Sequence, residues 1–230
     1  MGFIPTPQTP ICWAKPLGGC SADPSGEHIV SAATIRGPEL GLRGFPFQEG
    51  STYYLPKGQF KSNILCRKHN NELSQVDQAG ADAFTAIKTI ISSSAPRKSK
   101  IDGPLFERWL LKTLINIEVV SDFAVSPSSV IVERAFGKAP FPPNSGLFFP
   151  CRIGTTFDIE DRLIYRRKTF EINGSTQVSA ATFKVCGFEF LFTLGEPQFA
   201  SGSVHPLHHP HRINYKRTSI VFSWPPRLNG

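Results

Sequence analysis

The chain has 230 residues, of which 40% are hydrophobic and 19 are phenylalanine, and its formal net charge at pH 7 is +7. This length suits one large domain or two small ones, and the apolar content excludes disorder over most of the chain. The positive charge favours polyanionic partners such as nucleic acid, although basic charge alone identifies no partner.

The cysteines and the start of the chain bear on its compartment. Five cysteines form an odd and sparse set, unlike the even, dense set of a secreted disulfide framework. The first residues carry neither the basic nor the apolar region of a signal peptide, and nowhere do about 18 consecutive apolar residues occur. We therefore expect a cytoplasmic protein that does not enter a membrane.

The first predicted segment, residues 1–69, is rich in glycine and proline. Such a segment buries little apolar surface, so we expect it to need a metal ion to hold its shape. A helix is predicted from about residue 70 to 91, because apolar residues recur there at three- and four-residue steps. Ser74 followed by Asp77 resembles a capping box, which predicts that the helix restarts at Ser74.

A linker and a second helix are predicted next. Residues 92–100 have no apolar periodicity and are predicted to form the linker. The second helix is expected to begin near Asp102, a suitable N-cap residue, and to carry an apolar stripe from Leu105 to Ile117.

Strands are predicted after about residue 125. Runs rich in β-branched or aromatic residues occur at 130–132, 147–151, 163–165, 170–172, 188–192 and 220–222. Asn173-Gly174 is a strong hairpin signal. The predicted fold class is α+β: a domain over residues 1–95, then a domain over residues 101–230 in which an antiparallel sheet packs on the second helix.

Four residues of the first segment have the spacing of a zinc site. Cys66 and His69 are separated by two residues, and Cys12 and Cys20 flank a loop rich in glycine and proline. Two such pairs present four ligands tetrahedrally, as structural zinc requires. The seven-residue gap between Cys12 and Cys20 is wider than the usual gap of about two to four. The alternative is three buried thiols and a surface histidine.

Glu27-His28 stands between the two pairs, while Asn63 precedes the second pair and Asn70 follows it. This order resembles the HNH (ββα-metal) endonuclease superfamily, in its zinc-braced form, over about residues 12–90. The resemblance implies a two-stranded hairpin and a helix that together bind one divalent cation beside a structural zinc. It covers none of the C-terminal half.

The resemblance also implies roles for the matched residues. His28 matches the general base, and Asn63 matches the residue that orients the base. Glu27 and Asn70 match the ligands of the catalytic cation, Mg²⁺ or another divalent ion. Asn70 stands where the motif's name has histidine, and an amide is the weaker ligand, so Asp77 or Glu72 is a candidate to assist it.

These residues suit phosphodiester hydrolysis. A neutral histidine, with an unperturbed pKa near about 6.5, accepts a proton from water, and a hard cation stabilises the charge that develops. The expected function is that of a metal-dependent endonuclease acting on DNA, in the manner of a bacterial restriction or phage-defence effector. The competing interpretations are a catalytically inactive, zinc-stabilised nucleic-acid-binding module and a structural adaptor.

Several basic residues are candidates for nucleic-acid contacts. They are Arg36, Arg43, Lys68, Arg166 and Arg167. The last two lie among aromatic residues, a pattern that suits a phosphate backbone, and a solvated sheet face is the equal alternative. The histidines between residues 205 and 211 are predicted to lie on an extended surface loop. Three roles are open for the C-terminal domain: choosing the target, pairing with a second copy as a homodimer, or binding a regulatory protein.

Overall fold

The structure is a computed structural model and describes residues 11–35, 37–47, 51–121, 127–149, 162–172, 175–197, 199 and 206–225. Its α-helices within these ranges are α1 (Arg67–Glu72), α2 (Ser74–Ser92), α3 (Gly103–Ser121) and α4 (Ser129–Ala135). Its strands are β1 (Pro24–His28), β2 (Glu39–Arg43), β3 (Tyr53–Pro56), β4 (Lys61–Cys66), β5 (Arg97–Asp102), β6 (Gly146–Phe149), β7 (Arg162–Ile172), β8 (Ser175–Val185), β9 (Phe188–Thr193), β10 (Leu207–His208), β11 (Arg212–Tyr215) and β12 (Thr218–Ser223).

The described strands form three sheets. β1 and β4 form an antiparallel pair. A seven-stranded sheet has the order β10-β6-β9-β8-β7-β2-β3, in which the β2–β7 pair is parallel and the other pairs are antiparallel. The third sheet has the order β11-β12-β5, with β12 and β5 parallel. The fold is therefore mixed α+β with a largely antiparallel sheet, as the sequence predicted.

The predicted helices are observed with one interruption. The helix predicted over residues 70–91 is divided into α1 and α2 at Leu73, and α2 begins at Ser74 as expected, although Leu73 is the N-cap residue. At the start of α3 the Asp102 carboxylate accepts a hydrogen bond from the Leu105 N–H at 3.0 Å, which confirms the predicted cap. None of the described helices has the length and apolar character that crossing a membrane requires.

Two local predictions are wrong. The predicted linker, residues 92–100, contains most of β5, which pairs with β12 along its whole length. The side chains of β5 are largely exposed, so they carry no apolar signal. The backbone of β5 pairs with β12, which is distant in sequence. Residues 130–132 belong to α4 and not to a strand, since burying Val132 and Ala135 together requires the three-residue step of a helix.

The C-terminal strands agree better with prediction. The runs at 147–149, 163–165, 188–192 and 220–222 lie in β6, β7, β9 and β12. Asn173-Gly174 lies outside the described residues, and Ile172 and Ser175 on either side of it pair as a hairpin requires. The prediction for residues 150 and 151 likewise falls outside the described residues.

One buried apolar core runs through both predicted domains. The ring centroids of Phe45 and Tyr165 lie 5.5 Å apart, and those of Phe84 and Trp109 lie 5.4 Å apart. β2 from the first predicted domain also pairs with β7 from the second. Packing is therefore continuous across the boundary predicted between residues 95 and 101.

Candidate functional site

The β1–β4 pair leads directly into α1. The register runs from Pro24 opposite Cys66 to His28 opposite Lys61, with a shift in the ladder between Ser25 and Glu27. Because Cys66 is both the last residue of β4 and the N-cap of α1, its side chain lies where strand and helix meet.

The loop that bears the first two cysteines is anchored to β4. The N–H groups of Ile11 and Trp13 donate to the carbonyls of Asn63 and Ile64, both at 3.1 Å, which holds Cys12 beside the strand. A turn of 3-10 helix at Lys15–Leu17 follows. Gly18 and Gly19 then adopt φ values of 75° and 64°, a left-handed conformation that glycine tolerates without strain, and return the chain to Cys20. The unusually wide cysteine spacing is thus filled by one compact turn.

The four predicted zinc ligands come together. Their donor atoms all lie within 4.8 Å of one another. The Nδ1 atom of His69 lies 3.4 Å from Sγ of Cys12, 3.7 Å from Sγ of Cys20 and 3.3 Å from Sγ of Cys66. Zinc bonds of about 2.3 Å to sulfur and about 2.0 Å to nitrogen, at tetrahedral angles, place sulfur and nitrogen about 3.5 Å apart. The cluster can therefore hold a metal ion, and its donors and spacing are those of structural zinc.

The thiols of the cluster differ in acidity. Burial raises the pKa of Cys12 to about 12. Burial also acts to raise the pKa of Cys66, but hydrogen bonds to the backbone of His69 and of Ser21 outweigh it, and the pKa is lowered to about 6. A thiolate is the form that binds metal, so the lowered pKa of Cys66 favours coordination by this residue.

Glu27 lies inside the protein, where it contacts a lysine. Its side chain is 3% exposed, and its Oε1 lies 2.6 Å from the Nζ of Lys112, whose side chain is 1% exposed. Nζ of Lys112 also lies 2.5 Å from Oδ1 of Asp77 on α2. Burial acts to lower the pKa of Lys112, but the charges of the two carboxylates outweigh it and the pKa is raised. The ammonium group is therefore held in its charged form between two acids.

Further hydrogen bonds surround this ion cluster. Asn116 Nδ2 donates to Oε1 of Glu27 at 3.2 Å and to the backbone carbonyl of His28 at 3.3 Å. Trp13 Nε1 donates to Asn116 Oδ1 at 2.9 Å. Ser31 Oγ donates to Asp77 and accepts from Trp109 Nε1. We call Glu27, Asp77, Lys112 and Asn116 the buried charge cluster, and it fastens β1 to α2 and α3.

The surroundings of Glu27 do not fit the predicted divalent cation. The carboxylate has a cation partner in Lys112 and almost no contact with solvent, so a metal ion would have to displace a buried ammonium group. Asp77, a candidate to assist, binds the same lysine, and Glu72 pairs with Lys68 at 3.9 Å. Among the described residues no second group of three potential metal ligands lies as close together as the zinc set.

His28, Asn63 and Asn70 are half-buried on the hairpin and helix. Asn70 lies on α1, and its Nδ2 donates to Ser25 Oγ on β1 at 2.6 Å, a bond that does not use the amide oxygen. Asn63 lies on β4 where the ladder shifts. His28 lies at the other end of β1 from α1, roughly 10 Å along the strand from Ser25. Convergence of His28, Asn63 and Asn70 on one ion stays a prediction.

The predicted nucleic-acid contacts lie on three different elements, α1, β2 and β7. Arg36 lies outside the described residues. Lys68 is exposed on α1, Arg43 at the end of β2, and Arg166 on β7. Arg167 is also exposed, and its guanidinium lies 2.8 Å from Glu118 Oε2 on α3. The first two lie in one predicted domain and the last two in the other.

Part of the histidine-rich segment is packed and is not the extended loop that was predicted. His208 and His209 are half-buried, and their rings stack at 3.9 Å. Nε2 of His209 lies 2.9 Å from Glu107 Oε1, and its ring stacks on Trp224 at 4.0 Å. His205 lies outside the described residues. These contacts give His208 and His209 a packing role.

Sequence reasoning missed the buried charge cluster. Trp109, Lys112 and Asn116 follow one another at steps of three and four residues, which places three polar groups on one line of a largely buried helix. That line was the available signal, because a lysine inside an apolar stripe requires a buried acidic partner.

Comparison with protein-family models, with curated proteins and with solved structures finds no match. The resemblance to HNH nucleases therefore rests on the motif residues alone, and any functional assignment rests on them and on the geometry above.

Proposed function

We propose that the protein is a zinc-stabilised endonuclease that hydrolyses phosphodiester bonds in DNA, with His28 as the general base. One observation carries this proposal: the Cys12, Cys20, Cys66 and His69 cluster lies at the junction of a β-hairpin and a helix, and those two elements bear His28 and Asn70. An antiparallel hairpin followed directly by a helix supports the proposal, which otherwise rests on the motif residues.

The zinc cluster supports a structural role for its metal. Four protein ligands complete a tetrahedral zinc, which leaves no open position for water or substrate. The ion would join the 11–20 loop, the end of β4 and the start of α1 at a single point. Zinc therefore stabilises the elements that present His28 and Asn70, and it takes no part in the reaction.

His28 supplies the proton transfer in this proposal. Its backbone carbonyl is held by Asn116 from inside the protein, which fixes this end of β1. A neutral imidazole there takes a proton from the attacking water and can act at physiological pH.

The ligands of the catalytic cation differ from those expected from the motif. Glu27 is not proposed as a ligand of this cation, because its carboxylate binds Lys112. Asn70 remains, since its hydrogen bond to Ser25 uses the amide nitrogen and leaves Oδ1 for a hard cation. Asn70 is therefore the predicted ligand that is compatible with the observed geometry.

Plasmid cleavage tests the proposal. The full chain is incubated under single-turnover conditions with Mg²⁺ or Mn²⁺, and parallel reactions contain EDTA or the His28→Ala variant. We expect cleavage by the parent, and a rate at least about 100-fold lower for His28→Ala, because a positioned general base contributes that much. His211→Ala, which removes an exposed histidine, is the matched control and should cleave like the parent. Equal cleavage by His28→Ala and the parent would contradict the assignment of the base.

The second candidate is a catalytically inactive nucleic-acid-binding module. It is favoured by the buried Glu27–Lys112 pair, which replaces a metal ligand with an internal ion pair. This candidate predicts that the parent chain binds DNA and leaves plasmid intact with every divalent metal ion tried.

A further inference from the structure

The seven-stranded sheet has one face that points away from the helices and the main core, and near β6 and β9 this face carries a small apolar cluster that includes Phe148 and Leu191. On β7, Leu163 and Tyr165 are buried in the core, so strand alternation places Arg162, Ile164, Arg166 and Lys168 on the opposite face. From Arg162 to Lys168 this row spans about 20 Å.

Neighbouring strands add cations to the same face. Arg43 of β2 and Lys184 of β8 both lie opposite Ile164 in the register, one on each side of β7. Arg162 lies 5.8 Å from the centre of the Tyr54 ring on β3, a cation–π contact that holds the guanidinium against the sheet. We call these five residues the basic face: Arg43, Arg162, Arg166, Lys168 and Lys184.

Acidic groups on this side of the sheet are fewer. By the same alternation Glu39 of β2 lies on this face, and Glu189 lies opposite Lys184. Arg167 points to the other face, where it binds Glu118 together with the Tyr165 hydroxyl. The face therefore carries five cations against these two described acids.

β7 and β8 also project beyond their neighbours. Within the described residues, β2 pairs with β7 only at residues 162–164, and β9 pairs with β8 only from Ala180 onward. Residues 166–171 are consecutively exposed, which in a strand means that both faces of this part meet solvent. The outer part of the hairpin is thus a two-stranded ribbon with Arg166 and Lys168 at its base. A two-stranded ribbon is one of the shapes that the DNA major groove admits.

We propose that the basic face docks the phosphate backbone of duplex nucleic acid, with the β7–β8 ribbon lying along a groove. A row of cations about 20 Å long matches an extended polyanion and exceeds any single phosphate or carboxylate group. The proposal deepens the proposed function, since it gives the surface that would hold the substrate. Binding by this face does not require that His28 be catalytic.

Fluorescence anisotropy with a labelled DNA duplex tests the docking surface separately from cleavage. The His28→Ala background and the absence of added divalent cation prevent hydrolysis during the measurement. Arg166→Glu/Lys168→Glu is expected to raise Kd about tenfold or more, and to reduce the slope of log affinity against log salt by about 2, because each phosphate contact contributes about 1. Arg166→Gln/Lys168→Gln repeats the test in case the reversed charges disturb the hairpin, and circular dichroism verifies both folds.

Arg97→Glu/Lys98→Glu is the matched control. It makes the same change in net charge on two exposed residues of β5, which belongs to the three-stranded sheet. We expect its Kd to stay within about twofold of the parent value, because these two residues lie outside the basic face. General electrostatic attraction changes equally in both variants, so the comparison isolates the loss of contacts at the basic face. Three results would each overturn the proposal. The first is parent-like DNA affinity in both basic-face variants, and the second is an equal loss of affinity in the basic-face variants and the control. The third is that the protein binds no nucleic acid.

Duplex RNA and single-stranded DNA are measured alongside duplex DNA. Tightest binding to the DNA duplex is the expected result. Tightest binding to a single strand would overturn docking of a duplex, and tightest binding to duplex RNA would keep the docking surface and reassign its substrate. If His28→Ala loses cleavage and keeps DNA binding, both proposals are supported. If the parent binds DNA and does not cleave it, the docking surface is supported and the proposed nuclease activity is not.

Discussion

Two polar clusters hold the same hairpin by different means. At one end of the β1–β4 pair, the Cys12, Cys20, Cys66 and His69 cluster is suited to a metal ion and includes the exposed Cys20. At the other end, the buried charge cluster joins β1 to α2 and α3 without a metal. A metal site draws on a strong and specific bond, whereas a buried ion cluster must offset the cost of removing charges from water. The two ends should therefore respond very differently to the loss of one member.

The largest effect is expected at the metal end. Cys66→Ser should abolish stoichiometric zinc and unfold the hairpin and α1, because a structural zinc site contributes about 10–16 kcal/mol, which is as large as the stability of a typical protein. Metal analysis and circular dichroism measure the two consequences. Cys186→Ala, at a buried cysteine remote in sequence from the cluster, should retain one zinc. Full zinc content in Cys66→Ser would show that the four residues are not the ligand set.

An intermediate effect is expected at the charge cluster. Lys112→Met leaves the carboxylates of Glu27 and Asp77 without their cation, and should lower the free energy of unfolding by about 3–5 kcal/mol. Urea denaturation measures this loss. The triple variant with Glu27→Gln and Asp77→Asn should recover part of it, because neutral amides tolerate burial without a cation. If Lys112→Met were as stable as the parent, the cluster would contribute little to folding.

The smallest effect is expected at an exposed ion pair beside the metal end. Arg67 NH1 lies 3.5 Å from Asp23 Oδ2, and both side chains are about two-thirds exposed. Arg67→Gln should change the free energy of unfolding by less than about 0.5 kcal/mol, since water and salt screen such pairs. Thermal and urea unfolding measure it. A loss comparable to that of Lys112→Met would contradict the view that burial separates the two classes of ion pair.

The same comparison explains what the sequence could predict. The zinc cluster was predictable because cysteine and histidine are the residue types that bind zinc, and because Cys66 and His69 lie within one turn of each other. Even there, the cysteine spacing looked too wide until the Gly18-Gly19 turn accounted for it. The ion pair of Glu27 could not be predicted because its partners lie on α2 and α3, and a contact between distant segments leaves no local spacing to detect.

Secondary structure shows the same division. α2 and α3 follow from apolar periodicity and, at α3, from the Asp102 cap, all of which are local. β5 was missed because its exposed side chains carry no pattern, and its partner β12 is supplied by the far end of the chain. The basic face has the same origin: Arg43, Arg166 and Lys184 become neighbours only through the register of three strands.

The position of β2 and β3 has a consequence for how the chain can be divided. These strands lie between β1 and β4 in sequence, yet they extend a sheet whose next strand is β7. During synthesis the half that carries the motif emerges first, but the buried side chains of Leu40 and Leu42 have no completed sheet to join until residues 162–164 arrive. A fragment that stops at residue 95 would leave the apolar side chains of Leu40 and Leu42 uncovered. The half that carries the motif therefore depends on the other half to fold stably.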